Sequence, residues 1–272
     1  MTDMKTALRV LQETSRSFFI PINSMPSILR TAVTSAYLCL RAVDEVEDHA
    51  LLDSGKKIEI LSSLSWCLQT ADNEYITQNL QSQFQDFKGI LPEVTIDIGK
   101  WLMLAPKSIG PRIWNDTSVM ADRMAEWVRR EWEIESPEDL DRYTFMVAGS
   151  VGLLLSDIWN WYDGTQSDRS LAVAYGKGLQ TVNILLNQDE DLSRGVDFFP
   201  NGWKHEDMID YASEHLALAA EYVAELPSGP IEYACRIPLT LALAAIEALK
   251  KGERKLTRSD VARLLSQLAQ GE

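Results

Sequence analysis

Two groups of side chains in this sequence could do chemistry on a charged substrate. The first lies in "LRAVDEVEDH", residues 40–49, where Asp44, Glu45, Glu47 and Asp48 crowd together directly after the apolar "TAVTSAYLC". On a helix Asp44 and Asp48, four apart, share a face, and Glu47 lies beside them. Like charges at that spacing destabilise a bare helix by roughly 0.2–0.5 kcal/mol per pair. A cation held by both would reverse the sign. Magnesium prefers oxygen ligands and is commonly held by one or two carboxylates plus substrate phosphates. The pair is therefore half of a plausible metal–diphosphate clamp, with an ordinary solvated helix face as the alternative. The second group lies in "LQTVNILLNQDEDLSRG", residues 179–195, where Asn183, Asn187 and Asp191 stand at i, i+4 and i+8. All three fall on one helical face amid Val182, Ile184, Leu185 and Leu186. A polar helix end would explain Asp189, Glu190 and Asp191, but not why Asn183 interrupts an apolar run in register with the others.

The elements that must position these groups read as helices almost throughout. Segments rich in Ala, Leu, Glu, Lys and Gln recur with apolar residues at i, i+3 and i+4. The pattern predicts helices over 27–48 after Pro26, over 116–133, and from Pro137, with Ser136 as N-cap and Asp139 completing the cap. Further helices are expected over 170–193, 205–225, 230–250 and about 257–269. No fixed-period repeat, linker or alternating strand pattern appears, so an all-α chain with one compact domain over 1–272 is expected. The chain has 272 residues, 46% of them hydrophobic, enough to bury a large core. Its formal net charge of −14 argues against nucleic acid as a partner. The same charge argues against unaided binding of a phosphorylated substrate and so for a divalent metal between the two. Cys39, Cys67 and Cys235 have neither metal-binding nor disulfide spacing, which fits a reducing, cytoplasmic location. The polar "TDMKTALRVLQETSR" after Met1 lacks the apolar core of a signal peptide. The runs "MVAGSVGLLL" and "IPLTLALAAI" are too short to span a bilayer. A soluble protein that could touch a membrane surface is expected, with no transmembrane segment.

Four blocks carry a resemblance: "SRSFFIPI" (15–22), "AYLCLRAVDEVED" (36–48), "DRYTFMVAGSVGLLLSDIW" (141–159) and "GKGLQTVNILLNQDEDLSRGVDFFP" (176–200). In this order they resemble the squalene/phytoene synthase family, closer to its squalene synthase branch. The C-terminal quarter carries no motif, and the membrane anchor of eukaryotic squalene synthases is not found after "LAQGE". The resemblance implies a single-domain isoprenoid synthase helical bundle with a central apolar cavity and two acidic helices at its mouth. It implies that Mg2+ bridges those helices to a prenyl diphosphate of the farnesyl class. Asp44, Glu47 and Asp48 match the first metal motif, and Asn183, Asn187 and Asp191 the second. Ser15, Arg16, Phe18, Arg41 and Gln180 match substrate-binding positions. Tyr143, together with Arg41, matches a catalytic position near the developing cation. Arg16 and Arg41 could instead be salt-bridge partners, and Tyr143 a core tyrosine. Phe18, Phe145, Phe198 and Phe199 could offer ring faces to a cation, though core packing would also explain them. "VAGSVG" supplies small residues for close approach of helices or substrate.

The chain departs from the family's pattern within the second motif. Leu186 stands at a usual arginine, Asn187 at a usual aspartate, and Val196 at another usual arginine. Asn187 still offers a carbonyl oxygen, but a neutral one. The missing arginines weaken the case for holding a second diphosphate and make NADPH use doubtful. Three readings stay open: head-to-head prenyl transfer; a one-substrate cyclase or phosphatase on the same scaffold, whose metal motif has the spacing seen in terpene cyclases; and a non-catalytic prenyl-binding relative. Substrate chain length, product, pathway and oligomeric state are not legible.

Overall fold

A computed structural model describes residues 3–70, 79–80, 82–84, 87–253 and 255–270, apart from the side chains of Arg16, Thr70 and Ala269. The described residues are overwhelmingly helical. They contain no strand, only an isolated bridge between Lys88 and Leu91. The chain divides into two compact units, residues 1–132 and 133–272.

The first unit holds α1 (Met4–Thr14), α2 (Arg16–Ser24), α3 (Ser27–Glu47), α4 (Ser54–Thr70), α5 (Glu93–Ile96), α6 (Ile98–Leu104) and α7 (Gly110–Arg129). Ser15 separates α1 from α2. Its N–H closes α1 on the Leu11 carbonyl at 2.9 Å, and its hydroxyl accepts from the Phe18 N–H at 3.0 Å as the N-cap of α2. Helix α3 is the spine, packed by α1, α5, α6 and α7, while α4 lies along α7. Its buried side is continuous: Leu29, Ala32, Val33, Ala36, Cys39, Val43 and Val46 all lie in the core. Two side chains anchor it to its neighbours. The Ser35 hydroxyl donates to the Trp101 carbonyl at 2.7 Å, and the Thr95 hydroxyl to the Ala42 carbonyl at 3.2 Å.

The second unit holds α8 (Pro137–Thr144), a π-helical turn (Phe145–Gly149), α9 (Ser150–Asp163), α10 (Arg169–Ser193), α11 (His205–Glu225), α12 (Pro230–Lys250) and α13 (Arg258–Gln270). The expected cap is present. Ser136 accepts from the Asp139 N–H at 3.2 Å, the Asp139 carboxylate accepts from the Ser136 N–H at 3.3 Å, and Pro137 is the first helical residue. Helix α10 is central, flanked by α9, α11, α12 and the π turn. The small residues of "VAGSVG" serve helix–helix contact. A methyl group on Gly152 would lie 2.0 Å from the Ala172 carbonyl oxygen, and one on Gly176 would lie 2.1 Å from that of Ala148. Ala148 and Gly152 are four apart on one segment, Ala172 and Gly176 four apart on the other, and the pairing runs in opposite chain directions. The two segments are therefore antiparallel and meet backbone to backbone along a stripe of small residues.

A charged cluster braces the same region. Lys177, its side chain only 8% exposed, forms an ion pair with Asp141, which is 55% exposed. The Tyr211 hydroxyl donates to the Asp141 carboxylate at 3.2 Å and lies 3.3 Å from the Thr144 hydroxyl. His215 Nδ1 is 2.9 Å from the Tyr211 carbonyl, and its ring lies against the Tyr211 ring at 4.3 Å. This ties α8 and α10 to α11 at the approach to the π turn. Among the described residues no helix is long and apolar enough to cross a membrane.

Candidate active site

Helix α3 presents its chemistry as one stripe. Tyr37, Arg41, Asp44 and Asp48 follow at intervals of four, three and four, which keeps them on one side of the helix while the opposite side is packed. That geometry explains how carboxylates come to lie beside a core. The Tyr37 hydroxyl lies near Ser15 and Thr14, and its ring is 6.0 Å from that of Phe18. The first sequence block is thereby set against the first acidic motif. The Arg16 side chain lies outside the described residues. Arg41 pairs with Glu45 at 2.5 Å and approaches Asp44 at 3.6 Å. The salt-bridge alternative for Arg41 is therefore realised, and it leaves the guanidinium directed along the acidic stripe.

The carboxylates differ in environment. Asp44 keeps 35% of its side chain exposed, yet desolvation, reinforced by Asp48 and Glu45 and opposed by Arg41, pushes its pKa up to about 7. Glu47 is 6% exposed, with its pKa held well above the usual carboxylate range by burial and then by Asp48 and Asp44. Its carboxylate accepts the Trp132 indole N–H. Asp48 itself caps the end of α3 and is exposed. Of the three acids matched to the first metal motif, two border solvent and Glu47 is turned into the protein.

In the second unit, α10 carries Gln180, Asn183, Asn187 and Asp191. Gln180 is half-buried and Asn183 exposed. The Asn187 amide N–H donates to the Asn183 carbonyl oxygen at 2.9 Å, so the two amides form one linked pair. Asp191 is buried and salt-bridged to Arg194 at 2.6 Å. The Val196 N–H donates to the Asp191 main-chain carbonyl at 3.0 Å, folding the chain back after the helix. Tyr143 is buried and stacks on Phe198, with ring centroids 4.7 Å apart and planes inclined by 27°. Immediately after it, the Ser150 N–H bonds the Phe145 carbonyl, five residues back, which defines the π turn. Such turns are rare and occur frequently at functional sites. Phe199 is buried beside Phe198 in the chain.

Several participants were not singled out in the sequence. Tyr37 had a signal, since it lies four before Arg41 on the same face. Arg194 had one too, three after Asp191. Lys57 and Trp132, which flank Glu47, and Lys177, a buried lysine, are brought in by tertiary contacts that no local spacing announces.

The fit of these residues to a divalent cation can be judged from the donors. Among the described residues no three His, Cys, Asp or Glu side chains close around a point that an ion could occupy. That is unlike a calcium cage or a structural zinc site, and it is compatible with magnesium, which keeps waters and takes one or two carboxylates plus substrate phosphates. Asp44 and Asp48 fit this role. Their mutual repulsion, with Arg41 as the neighbouring counter-charge on the stripe, is what a hard cation would relieve. Asn183 and Asn187 offer weaker, neutral oxygens.

Comparison with known proteins places this arrangement. Squalene synthase of Schizosaccharomyces pombe is 29% identical, over 91% of this chain and 60% of that protein. Squalene synthase of Rattus norvegicus is 28% identical, over 90% of this chain and 63% of that protein. The chain thus spans less than two thirds of the length of these curated relatives. In fold it is similar to TcSQS in its complex with the ligand E5700, with a TM-score of 0.75 at 22% identity, covering 96% of this chain and 84% of that one. It is also similar to squalene synthase HpnC from Alicyclobacillus acidocaldarius, with a TM-score of 0.61 at 17% identity, covering 93% of this chain and 95% of that one. The family description "Squalene/phytoene synthase" matches residues 11–207, a span that takes in the α3 stripe, the π turn and the α10 face. By that match the chain belongs to the squalene/phytoene synthase family.

Proposed function

We propose that the protein is a Mg2+-dependent prenyltransferase that ionises a prenyl diphosphate of the farnesyl class and joins two such units head to head. The observation that carries the reading is the Tyr37–Arg41–Asp44–Asp48 stripe on α3, within a chain of this family. In this reading the α3 stripe is the first metal motif and the Asn183–Asn187–Asp191 face the second. Magnesium, when bound, supplies Lewis-acid neutralisation of the departing diphosphate. Asp44 and Asp48 would hold it, and Asn183 and Asn187 of the second motif would offer neutral oxygens to a metal. Arg41, already oriented by Glu45, pairs with phosphate oxygens. Tyr143, fixed by stacking on Phe198, presents its hydroxyl near the site of charge development. The surrounding apolar side chains keep water from the allylic cation. A reducing, cytoplasmic setting is supported by three unpaired, buried cysteines.

A second reading is favoured by the linked Asn183–Asn187 amides and by Leu186 and Val196, which place no cation where a second diphosphate or a nicotinamide phosphate would need one. In that reading a single prenyl diphosphate is ionised and then cyclised, deprotonated or hydrated. Incubation with farnesyl diphosphate and Mg2+, with and without NADPH, separates the two. A C30 diphosphate or hydrocarbon supports head-to-head transfer. A C15 alcohol or hydrocarbon supports the one-substrate reading, and no turnover with any prenyl chain length defeats both.

A further inference from the structure

The acidic end of α3 is held by contacts that the proposed chemistry does not use. Helix α7 ends at Arg129. Two consecutive non-glycine residues, Glu131 (φ 52°) and Trp132 (φ 54°), then adopt the left-handed conformation. Each such residue costs on the order of 1–3 kcal/mol and persists only where the surroundings impose it. This turn lays the Trp132 indole N–H on the Glu47 carboxylate. Lys57, buried in the first turn of α4, donates from Nζ to the Glu47 main-chain carbonyl at 2.5 Å and sits 5.2 Å from the centre of the Trp132 ring. Glu47 directly precedes Asp48, which caps α3. Contacts from the strained turn and from α4 therefore converge on Glu47, the residue next to an acid of the solvent-facing stripe.

We infer that Trp132 and Lys57 are positioning residues that act through Glu47 to keep the last turn of α3 helical, so that Asp44 and Asp48 are presented to one cation. The inference rests on the reading of those two acids as metal ligands. Glu47 is the last residue of α3, and the final carbonyls of a helix have no partner within it. Lys57 supplies one for Glu47. Without it the terminal turn can fray, and Asp48 loses its fixed spacing from Asp44. Trp132 fixes the Glu47 side chain, and so holds the same helix end from its other side. Partners of this outer kind orient ligands, and their loss typically costs about 10–100-fold in metal affinity.

The test is Mn2+ binding, read from the electron paramagnetic resonance of unbound Mn2+, in the wild-type protein and in Trp132→Phe, Lys57→Met, Lys57→Arg and Asp44→Asn. Trp132→Phe keeps the ring and removes only the donor. It and Lys57→Met should each weaken Mn2+ binding about tenfold, with the Mn2+ concentration for half-maximal turnover rising in parallel, whereas Lys57→Arg, which still donates, stays near wild type. Wild-type Mn2+ affinity in both Trp132→Phe and Lys57→Met, with Asp44→Asn failing to bind, overturns the positioning role and leaves the metal reading standing. Wild-type affinity in Asp44→Asn overturns the metal reading instead. Should Trp132→Phe not fold, the contrast between Lys57→Met and Lys57→Arg decides alone.

Discussion

Gly176→Ala is the sharpest probe of how the second unit is built. The added methyl would stand 2.1 Å from the Ala148 carbonyl oxygen and 2.9 Å from the Gly149 nitrogen. Ordinary contact begins near 3.4 Å, so the π turn would have to withdraw from α10 by about 1.3 Å. The obstacle is main chain, which cannot rotate aside as a flexible side chain would. Overpacking of this kind costs about 1–3 kcal/mol, sometimes more, and rigid neighbours place it at the upper end. Replacing a helical glycine by alanine returns about 1 kcal/mol of helix propensity. The net expectation is a loss of about 2 kcal/mol or more, read as a lower urea midpoint by circular dichroism with an unchanged slope. Gly152→Ala meets the Ala172 carbonyl at 2.0 Å on the same stripe. Once one methyl has wedged the segments apart, the second finds room. The double variant should therefore fall short of the summed single effects by about 1 kcal/mol or more. A Gly176→Ala protein within about 0.5 kcal/mol of wild type, below the usual overpacking cost, would refute the close approach. Strict additivity would refute the shared stripe.

Asp44→Asn should lower turnover by roughly a hundredfold, about 3 kcal/mol of transition-state stabilisation, while excess chelator abolishes wild-type turnover; folding should survive in circular dichroism because a like charge is removed. Asp141→Asn should destabilise more than Lys177→Met, since the first leaves a buried ammonium without its carboxylate and the second removes the buried charge itself; comparison of urea midpoints checks the order, and the reverse order would contradict it. Burial, then the positive charge of Lys177, holds the His215 pKa below its ordinary value, with the Tyr211 carbonyl, Asp141 and Glu214 opposing. The native state thus binds its proton less readily than the unfolded chain does. His215 contributes stability that is complete above the unfolded value of about 6.5 and is lost as pH falls through the folded one. His215→Gln should flatten the dependence of the urea midpoint on pH below about 6.5.

The long helices were legible because their punctuation is local. Residues 205–225 and 230–250 are helical over the expected bounds, and Ser136, Pro137 and Asp139 form the expected cap. The segment expected over 116–133 instead runs Gly110–Arg129. It begins earlier because Pro111 is tolerated in a first turn, and it ends earlier because the chain turns left-handed at Glu131. Helices α1 and α2 lie outside the expected helices: they are split by the single residue Ser15, and α2 is short and contains Pro21. The acidic stripe could be read from spacing alone. The fate of Glu47 could not, because its partners Lys57 and Trp132 lie 10 and 85 residues away along the chain. The departures at Leu186 and Asn187 were visible letter by letter. That the two asparagines would bond to one another needed the folded helix.

The π turn at Phe145–Gly149 has a consequence for the phase of the helix that contains it. A turn closed by an i→i+5 bond holds about one residue more than an ordinary helical turn, a phase shift of roughly 100°. Tyr143 before the turn and Gly152 after it are thus oriented independently, one toward Phe198 and the other toward Ala172. A regular helix with one residue fewer would satisfy every hydrogen bond yet could not aim both. Length in this stretch is therefore more constrained than composition. Deletion of any single residue from 145–149 re-aims everything on one side of it.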